Sequence, residues 1–132
     1  MSALPIRIRG PVPDDCDTIV DSWLRSQRDE THYALMSHAV YSESRHHVVT
    51  RLLQRSEVRI ACSAESDWQV FGWACVEPGT LHYAYVKAPF RRFGIFAQLI
   101  EGLHGARCSA TGHKWPMLVA KYGFTYDPRG EL

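Results

Sequence analysis

The chain of 132 residues carries 15 lysines and arginines against 14 aspartates and glutamates, so its formal net charge is +1 at pH 7. A chain of this length is expected to fold as one domain over residues 1–132, and its 45% apolar content is enough to form a core. The even charge balance argues against a nucleic-acid-binding module, which normally carries an excess of basic residues. Any anion site should therefore be local rather than spread over the surface.

The sequence contains no stretch near the length of about 20 apolar residues that crosses a bilayer. The opening residues 1–9 alternate apolar and basic side chains and lack the apolar core of a signal peptide. The four cysteines form no Cys-x-x-Cys pair: Cys16, Cys62, Cys75 and Cys108. We therefore expect reduced, mostly buried thiols in a cytoplasmic protein, with a disulfide framework as the alternative.

The first half of the chain predicts a strand followed by two helices. Residues 6–9 alternate like a strand and stop at Gly10, and Pro13 with the acidic residues after it suits the first turn of a helix. Apolar side chains then recur at steps of three and four: Ile19, Val20, Trp23 and Leu24. A second amphipathic helix is marked by a similar group: Val48, Val49, Leu52 and Leu53. The pattern of residues 27–44 favours no element.

The second half predicts an antiparallel meander and then a helix. Short β-branched and aromatic runs at 58–63, 69–76 and 81–87 are separated by turn residues at Ser66-Asp67 and Pro78-Gly79. The apolar face of the next helix comprises five residues: Ile95, Phe96, Leu99, Ile100 and Leu103. A short helix at 117–121 and a strand at 123–126 complete an α/β domain.

The junction between the third strand of the meander and this helix has the chemistry of a diphosphate site. Pro89 ends the strand, Arg91 and Arg92 supply charge, and Gly94 lets a ligand approach the backbone. A helix start also presents free backbone N–H groups. The alternative is a solvated arginine turn that caps a core helix.

This junction fits neither a P-loop nor a dinucleotide-binding motif, because it contains no G-x-x-x-x-G-K-[ST] and no G-x-G-x-x-G. Residues 85–95 (YVKAPFRRFGI) instead resemble motif A of the GCN5-related N-acetyltransferases (GNAT family), Q/R-x-x-G-x-G/A after a strand. Residues 121–124 (KYGF) resemble the K-x-G-F that ends the last helix of that family. The resemblance extends over residues 4–128.

The resemblance implies a GNAT-like α/β (α+β) fold, with a central, mostly antiparallel, twisted sheet flanked by helices. It also implies an acetyl-CoA-dependent N-acetyltransferase, with acetyl-CoA as cosubstrate and no metal, that acts on an amine of a small molecule or a protein. The pyrophosphate loop would comprise six residues: Arg91, Arg92, Phe93, Gly94, Ile95 and Phe96. The strand beside the pantetheine arm would comprise Tyr85, Val86 and Lys87. In the family a bulge splays this strand from its neighbour, and a backbone N–H there polarises the thioester carbonyl.

Motif A is degenerate, and three positions depart from the family pattern. Phe96 stands where the family has glycine or alanine, and its ring could crowd the phosphates. Val119 replaces the tyrosine that protonates the departing thiolate, and Gly112 stands near a usual asparagine. The nearest substitute acid is Tyr122, for which a packing role is the alternative.

Proton removal from the acceptor also needs a base, because amines with a pKa of about 10 are mostly protonated at pH 7. Glu77 and His82, before and within the third meander strand, are the candidates. Their alternatives are a solvated turn carboxylate and a histidine on a sheet face. The seven histidines show no metal-site spacing, so we expect no metal site.

Two further groups of residues remain open at this stage. The first falls where the family walls its acceptor site and could equally pack in the core or a dimer: Trp23, Tyr33 and Tyr41. The second group comprises four arginines that would contact the phosphates if the protein bound nucleic acid: Arg45, Arg51, Arg55 and Arg59. Their spacing suits a solvated helix face instead.

The alternative function is a catalytically weak or inactive GNAT-fold protein that binds a partner protein or forms a homodimer. The chain is short for the family, so an exposed sheet edge could recruit a partner. Compact, divergent domains of this kind resemble bacterial and phage proteins. A phage protein would act on a host target in the host cytoplasm.

Overall fold

The computed structural model describes residues 4–28, 33, 35–103, 105–109 and 115–132. The elements in chain order are β1 (Ile6–Arg9), α1 (Asp15–Gln27), α2 (His38–Arg55), β2 (Glu57–Ser63), β3 (Ser66–Glu77), β4 (Thr80–Val86), α3 (Ile95–Leu99), β5 (Arg107–Cys108), α4 (Trp115–Tyr122) and β6 (Thr125–Tyr126). Two 3-10 turns lie at Ala88–Phe90 and Pro128–Glu131.

The six strands form one mixed sheet in the order β1-β2-β3-β4-β5-β6. The first four strands pair antiparallel in sequence, which confirms the predicted meander, whereas β5 and β6 pair parallel to their neighbours. The predicted α/β class, with a mostly antiparallel sheet flanked by helices, is confirmed. The strand β5 was not predicted, because two residues show no periodicity.

The helices cover both faces of the sheet and create two apolar clusters. On one face α1 and α2 bury Ile19, Trp23, Val49 and Leu52, the stripes that the sequence periodicity predicted. On the other face α3 and the end of α4 pack against the sheet with Ile95, Leu99, Tyr122 and Phe124. No helix among the described residues has the length and apolar content needed to cross a bilayer.

Two local predictions were wrong. Ser66 and Asp67 belong to β3 rather than to the turn before it. The helix predicted to run to Leu103 ends at Leu99, because Gly102 takes a positive φ of 86° that a helix cannot accommodate. Ile100 and Leu103 are nevertheless buried, so the apolar pattern identified the buried side chains correctly but overestimated the length of the helix.

All four cysteines are free, as the sequence predicted. Cys16 is exposed, and Cys62, Cys75 and Cys108 are buried. Burial raises the pKa of the Cys75 thiol to about 11. The Cys75 thiol is therefore protonated at neutral pH and is not an activated nucleophile.

The α2 arginines form only part of the solvated face that their spacing suggested: Arg51 and Arg55 are exposed, whereas Arg45 is buried. Arg45 is buried, and its guanidinium donates to the Glu131 carboxylate at 2.8 and 3.1 Å. Arg51 donates to the Glu131 carbonyl at 2.7 Å, and Arg55 donates to the carbonyls of Gly130 and Leu132 at 2.6 and 2.7 Å. We call residues 128–132 the C-terminal strap. It is attached to α2 chiefly by arginine hydrogen bonds.

Arg59 lies on β2 rather than on α2. Its guanidinium donates to the carbonyls of Leu99 and Glu101 at 3.0 and 2.9 Å, where α3 ends. Like the α2 arginines, it therefore bonds to other parts of the chain instead of forming a free basic face.

Asp15 ties the start of α1 to β1. Its carboxylate accepts hydrogen bonds from the Arg9 guanidinium and from the Val12 N–H, each at 2.8 Å, and both charged side chains are only 11% exposed. Burial raises the pKa of Asp15, but these hydrogen bonds and the Arg9 charge outweigh it and hold the pKa below its usual range. The pair therefore stabilises the fold above the unfolded-state pKa of about 3.9, and this stabilisation is lost as the pH falls through the lower folded-state value.

We expect Asp15→Asn to lower the free energy of unfolding at pH 7 by about 2 kcal/mol, because the Arg9 charge, whose side chain is only 11% exposed, loses its carboxylate partner. The difference from the wild type should shrink as the pH falls below about 4. Urea unfolding of both proteins at pH 7 and pH 3 measures it. Asp17→Asn, an exposed residue in the same turn, is the matched control, and an equal loss there would contradict the assignment.

Candidate active site

Within the described part of the chain, the second half of β4 has a strand on one side only. Only Thr80 and Leu81 pair with β5, so among the described residues no strand pairs with Tyr83–Val86 on that side. The Lys87 N–H donates to the Phe71 carbonyl on β3, and alternation along the strand then directs the N–H and C=O of Ala84 and Val86 toward the open edge. We call this opening between β4 and the end of β5 the fork.

β4 also carries the bulge that the resemblance implied. Cys75 on β3 pairs with Tyr83 and Val76 pairs with Leu81, so His82 is the extra residue. Gly72 lets β4 approach β3 closely beyond the bulge, because a Cβ there would lie 2.4 Å from the Tyr85 carbonyl oxygen.

The loop after β4 contains backbone N–H groups without an acceptor among the described residues. Among the described residues, none accepts a hydrogen bond from the N–H of Arg92, Phe93, Gly94 or Ile95. Gly94 has a φ of 80°, and a Cβ there would meet no atom within 4 Å, so the space beside it is open. Arg92 has a φ of 71°, a conformation that costs a non-glycine residue of the order of 1 kcal/mol and is often found at functional sites.

A cavity of about 240 Å³ adjoins this loop, and we call it the loop pocket. Three basic residues line it: Arg91, Arg92 and Lys121. The Arg91 Nε donates to the Val86 carbonyl at 2.9 Å, and its guanidinium lies 5.9 Å from the centre of the Tyr85 ring. Arg91 is therefore partly used by the protein itself, whereas Arg92 and Lys121 make no recorded ion pair among the described residues.

The helix at this loop is shorter than the sequence predicted. Its five residues are too few to build a large helix dipole, so anion binding at the loop would depend on individual N–H groups and on the basic side chains. Phe96 is half-buried and packs against the core, with its ring centre 6.5 Å from that of Tyr122. Both residues line the loop pocket, and Tyr122 is only 8% exposed.

Lys87 directly follows β4 and lines a cavity other than the loop pocket. This separate cavity has a volume of about 370 Å³ and lies near the start of α1. Asp14, Trp68 and Trp73 line the same cavity. Since the Lys87 N–H also bonds to β3, neither its side chain nor its N–H faces the loop pocket in this structure.

Glu77 and His82 form one hydrogen-bonded chain with a residue that the sequence did not indicate. His82 Nε2 lies 2.8 Å from Glu77 Oε1, and His82 Nδ1 lies 2.7 Å from Ser109 Oγ. Arg55 Nε donates to the same Glu77 oxygen at 2.7 Å. The His82 side chain is fully buried, while that of Glu77 remains 28% exposed.

Burial raises the pKa of Glu77, but hydrogen bonds from His82 and Arg55 and the Arg55 charge outweigh it, so its pKa lies below the usual range. Glu77 is thus a carboxylate at neutral pH. Tyr122 packs in the other apolar cluster, with Ile95, Leu99 and Phe124.

The aromatic residues that the family places at its acceptor site pack in the interior. Trp23 and Tyr41 are buried, and the Trp23 ring lies 5.3 Å from Trp73 and 5.4 Å from Tyr83. Tyr33 packs edge-on against Tyr41. Within the described part of the chain, no group of three or more histidines, cysteines or carboxylates is arranged to hold a metal ion.

Some residues of the sequence analysis lie outside the described part of the chain: Gly112, His32, His104 and His113. Val119 lies in α4 with its side chain 44% exposed, and it offers no hydroxyl group.

Solved structures share this arrangement of strands and helices. A GCN5-related N-acetyltransferase from Rhodopseudomonas palustris superposes with a TM-score of 0.61 at 18% identity, over 92% of this chain and 82% of that one. The chain has the GNAT fold. The solution structure of apo YjaB from Escherichia coli superposes with a TM-score of 0.53 at 23% identity over 73% of this chain, which spans 62% of the length of YjaB. No family sequence model and no curated protein sequence matches the chain.

The described residues have features that suit a diphosphate and the pantetheine arm attached to it. Unpaired N–H groups at 92–95, three basic side chains and the open space beside Gly94 suit a diphosphate. The free edge of β4 suits an extended amide chain. The sequence did not single out Ala84 as a residue of the site. Alternation along the strand predicts that its N–H faces the unpaired edge, but only once the strand that pairs with β4 is known. Ser109 gave no signal, because β5 was not recognised.

Proposed function

We propose that the protein is an acetyl-CoA-dependent N-acetyltransferase that acts on an amine of a small molecule or a protein. The observation that carries this proposal is an edge of β4 with no partner strand among the described residues, beside a loop whose N–H groups find no acceptor there and which carries basic side chains. Acetyl-CoA would supply the activated acetyl thioester. The similarity to the solved structures supports the fold alone, because the sequence identity is only 18 to 23%. The proposed activity therefore rests on this geometry and on the resemblance to motif A.

Each part of the site has a proposed role. The N–H groups of Arg92 to Ile95, with Arg92 and Lys121, would hold the diphosphate. The N–H of Ala84 or Val86 would donate to the thioester carbonyl as negative charge develops there. The Glu77–His82 pair would take up the proton of the acceptor amine.

Tyr122 is the proposed proton donor to the departing thiolate. Tyr122 lines the loop pocket proposed for the diphosphate, and its contacts with Phe96 and Phe124 are the alternative, packing role. Tyr122→Phe keeps the ring and removes only the hydroxyl. A slower release of thiol at unchanged CoA affinity therefore separates the two roles.

Calorimetry with acetyl-CoA and CoA tests the proposal. We expect micromolar to millimolar binding that weakens about tenfold in Arg92→Ala and in Lys121→Ala, because a hydrogen bond to a charged group contributes about 1.5 kcal/mol or more. Arg25→Ala removes an exposed arginine paired with Asp21 on α1 and should bind CoA like the wild type. An absence of binding at millimolar ligand would exclude the function.

A second candidate function is a GNAT-fold protein that binds a partner protein with little or no catalysis. Phe96 favours it, since its ring lines the loop pocket where the family has glycine or alanine.

We expect Phe96→Gly to strengthen CoA binding severalfold if the ring narrows the pocket, and to weaken it if the ring only supports α3. Loss of the half-buried ring should lower the unfolding free energy by about 2 kcal/mol, so folding is checked in parallel by thermal denaturation. Phe90→Leu, a change at a half-buried residue of the same pocket that keeps an apolar side chain, is the control. A large gain in affinity would favour a closed site and the binding function.

A further inference from the structure

We propose that the cavity of about 370 Å³ at the start of α1 binds a free aromatic amino acid. We call this cavity the α1 pocket. Ile19, Ile60 and Trp73 line it and belong to the apolar cluster beneath α1 and α2. The loop pocket is instead lined by residues of the cluster on the opposite face of the sheet, such as Ile95 and Tyr122. The α1 pocket is therefore separate from the proposed diphosphate site.

The α1 pocket offers apolar and aromatic surface to a ligand. Trp68 is 83% exposed although it lies within β3, and Val12 in the same pocket is 48% exposed. Val70 and Trp73 complete this side of the lining. The volume falls in the range of about 300 to 1,000 Å³ that is typical of small-molecule sites. An exposed indole also gains more from a second aromatic ring than burial alone provides.

The pocket is lined by five charged side chains: Arg9, Asp14, Asp15, Asp67 and Lys87. Three of them are paired within the protein. Arg9 and Asp15 bond to each other at 2.8 Å, and Asp67 pairs with Arg7 on β1. The two charges that remain for a ligand are one carboxylate and one ammonium group.

These two groups belong to Asp14 and Lys87. Asp14 is the N-cap of α1, a position at which an aspartate normally accepts from the N–H groups of the first turn. Here it has a helical φ of −65° and ψ of −19°, and its side chain forms no capping hydrogen bond. The Lys87 ammonium makes no recorded hydrogen bond or ion pair with the residues that the structure describes. Both groups are therefore available to a ligand.

An aromatic α-amino acid matches this set of groups. Its ammonium would pair with Asp14, its carboxylate with Lys87, and its ring would stack on Trp68. A ligand with charge of one sign only would meet a like charge from either Asp14 or Lys87, and such contacts are unfavourable. For the same reason Asp14 disfavours the diphosphate of CoA in this pocket.

Calorimetry of the full-length protein with L-phenylalanine, in the absence of CoA, tests the proposal. We expect a dissociation constant of about 0.1 to 1 mM, as befits a ligand of this size. Three analogues each remove one feature: phenethylamine lacks the carboxylate, 3-phenylpropionate lacks the ammonium, and L-alanine lacks the ring. Each should bind about tenfold more weakly or worse. Equal affinity for any analogue, or no binding of phenylalanine at millimolar concentration, would overturn the proposal.

Substitutions at the pocket test its residues one at a time. Trp68→Ala, Asp14→Asn and Lys87→Met should each weaken phenylalanine binding about tenfold. Trp68 and Asp14 are exposed, so these variants should keep the wild-type unfolding temperature. Asp17→Asn and Leu35→Ala, at an exposed acid of the same helical turn and an exposed apolar residue outside the pocket, are the matched controls and should bind like the wild type. Unchanged binding in all three pocket variants would contradict the site.

Amide NMR spectra locate the bound amino acid directly. Phenylalanine should shift the Trp68 indole N–H signal and the backbone amides of Asp14 and Lys87. Shifts confined to residues 92–95 would place the ligand in the loop pocket and overturn the proposal. Because neither experiment contains CoA, their outcomes do not depend on the proposed acetyltransferase activity.

Discussion

Glu131→Gln is expected to lower the free energy of unfolding by about 3 kcal/mol, because it leaves the buried Arg45 charge without its carboxylate. The two side chains are 7% and 19% exposed and form two hydrogen bonds. Gln27 would still accept from Arg45 at 3.1 Å, but a neutral amide does not balance the charge. Urea unfolding at neutral pH measures the loss.

Asp21→Asn is the matched control for this pair. Asp21 is bonded to Arg25 across one helical turn, and both side chains are 71% exposed. Exposed pairs contribute little because water screens them, so we expect almost no change in stability. Equal effects in the two variants would show that the C-terminal strap contributes no special stability, and that its attachment to α2 is no stronger than a surface contact.

His82→Ala is expected to slow acetyl transfer by a factor of about 10² to 10⁴, the range of a lost general base, while the affinity for CoA stays within twofold. His82 joins Glu77 to Ser109 in the described structure, so its loss removes the proposed base and interrupts uptake of the proton from the acceptor amine. Thiol release from acetyl-CoA, with and without a panel of amines, measures the rate, and calorimetry measures the affinity.

His47→Ala is the control, since His47 is exposed on α2. His82→Gln keeps one hydrogen-bonding arm in place but cannot take up a proton near neutral pH, so it should be as slow as His82→Ala while unfolding closer to the wild-type temperature. A His82→Gln protein with full activity would contradict the base assignment. Such a result would return His82 to the purely structural role of a buried, hydrogen-bonded side chain.

Much of the fold was predictable because its signals are local. Alternation over residues 6–9 and in the meander comes from side chains that point to opposite faces of a strand. The stripe with Ile19 and Trp23 comes from the helical repeat. The loop from Arg91 to Gly94 was also visible, since glycine and paired basic residues after a strand indicate a backbone that can approach an anion.

Other features were not predictable, because they depend on pairs of residues far apart in sequence. Arg45 and Glu131 look like surface charges until the strap folds back onto α2. Ser109 looks like a loop residue until a two-residue strand brings it to His82, 27 positions earlier. Glu77 and His82 were recognised as candidates, but nothing local showed that the histidine would be buried between two partners.

The sequence by itself determined the strands of the meander, the buried stripes and the basic glycine loop, since each depends on neighbours within one or two turns of the chain. Only the tertiary structure decided where α3 ends, which edge of β4 has no partner strand among the described residues, and which groups meet at His82. Those outcomes depend on burial and on hydrogen bonds between separate elements, such as the Arg59 bonds to the end of α3. The near-zero net charge argued against a broad basic surface. In the folded protein, most of the arginines of α2 and β2 donate hydrogen bonds to other parts of the chain.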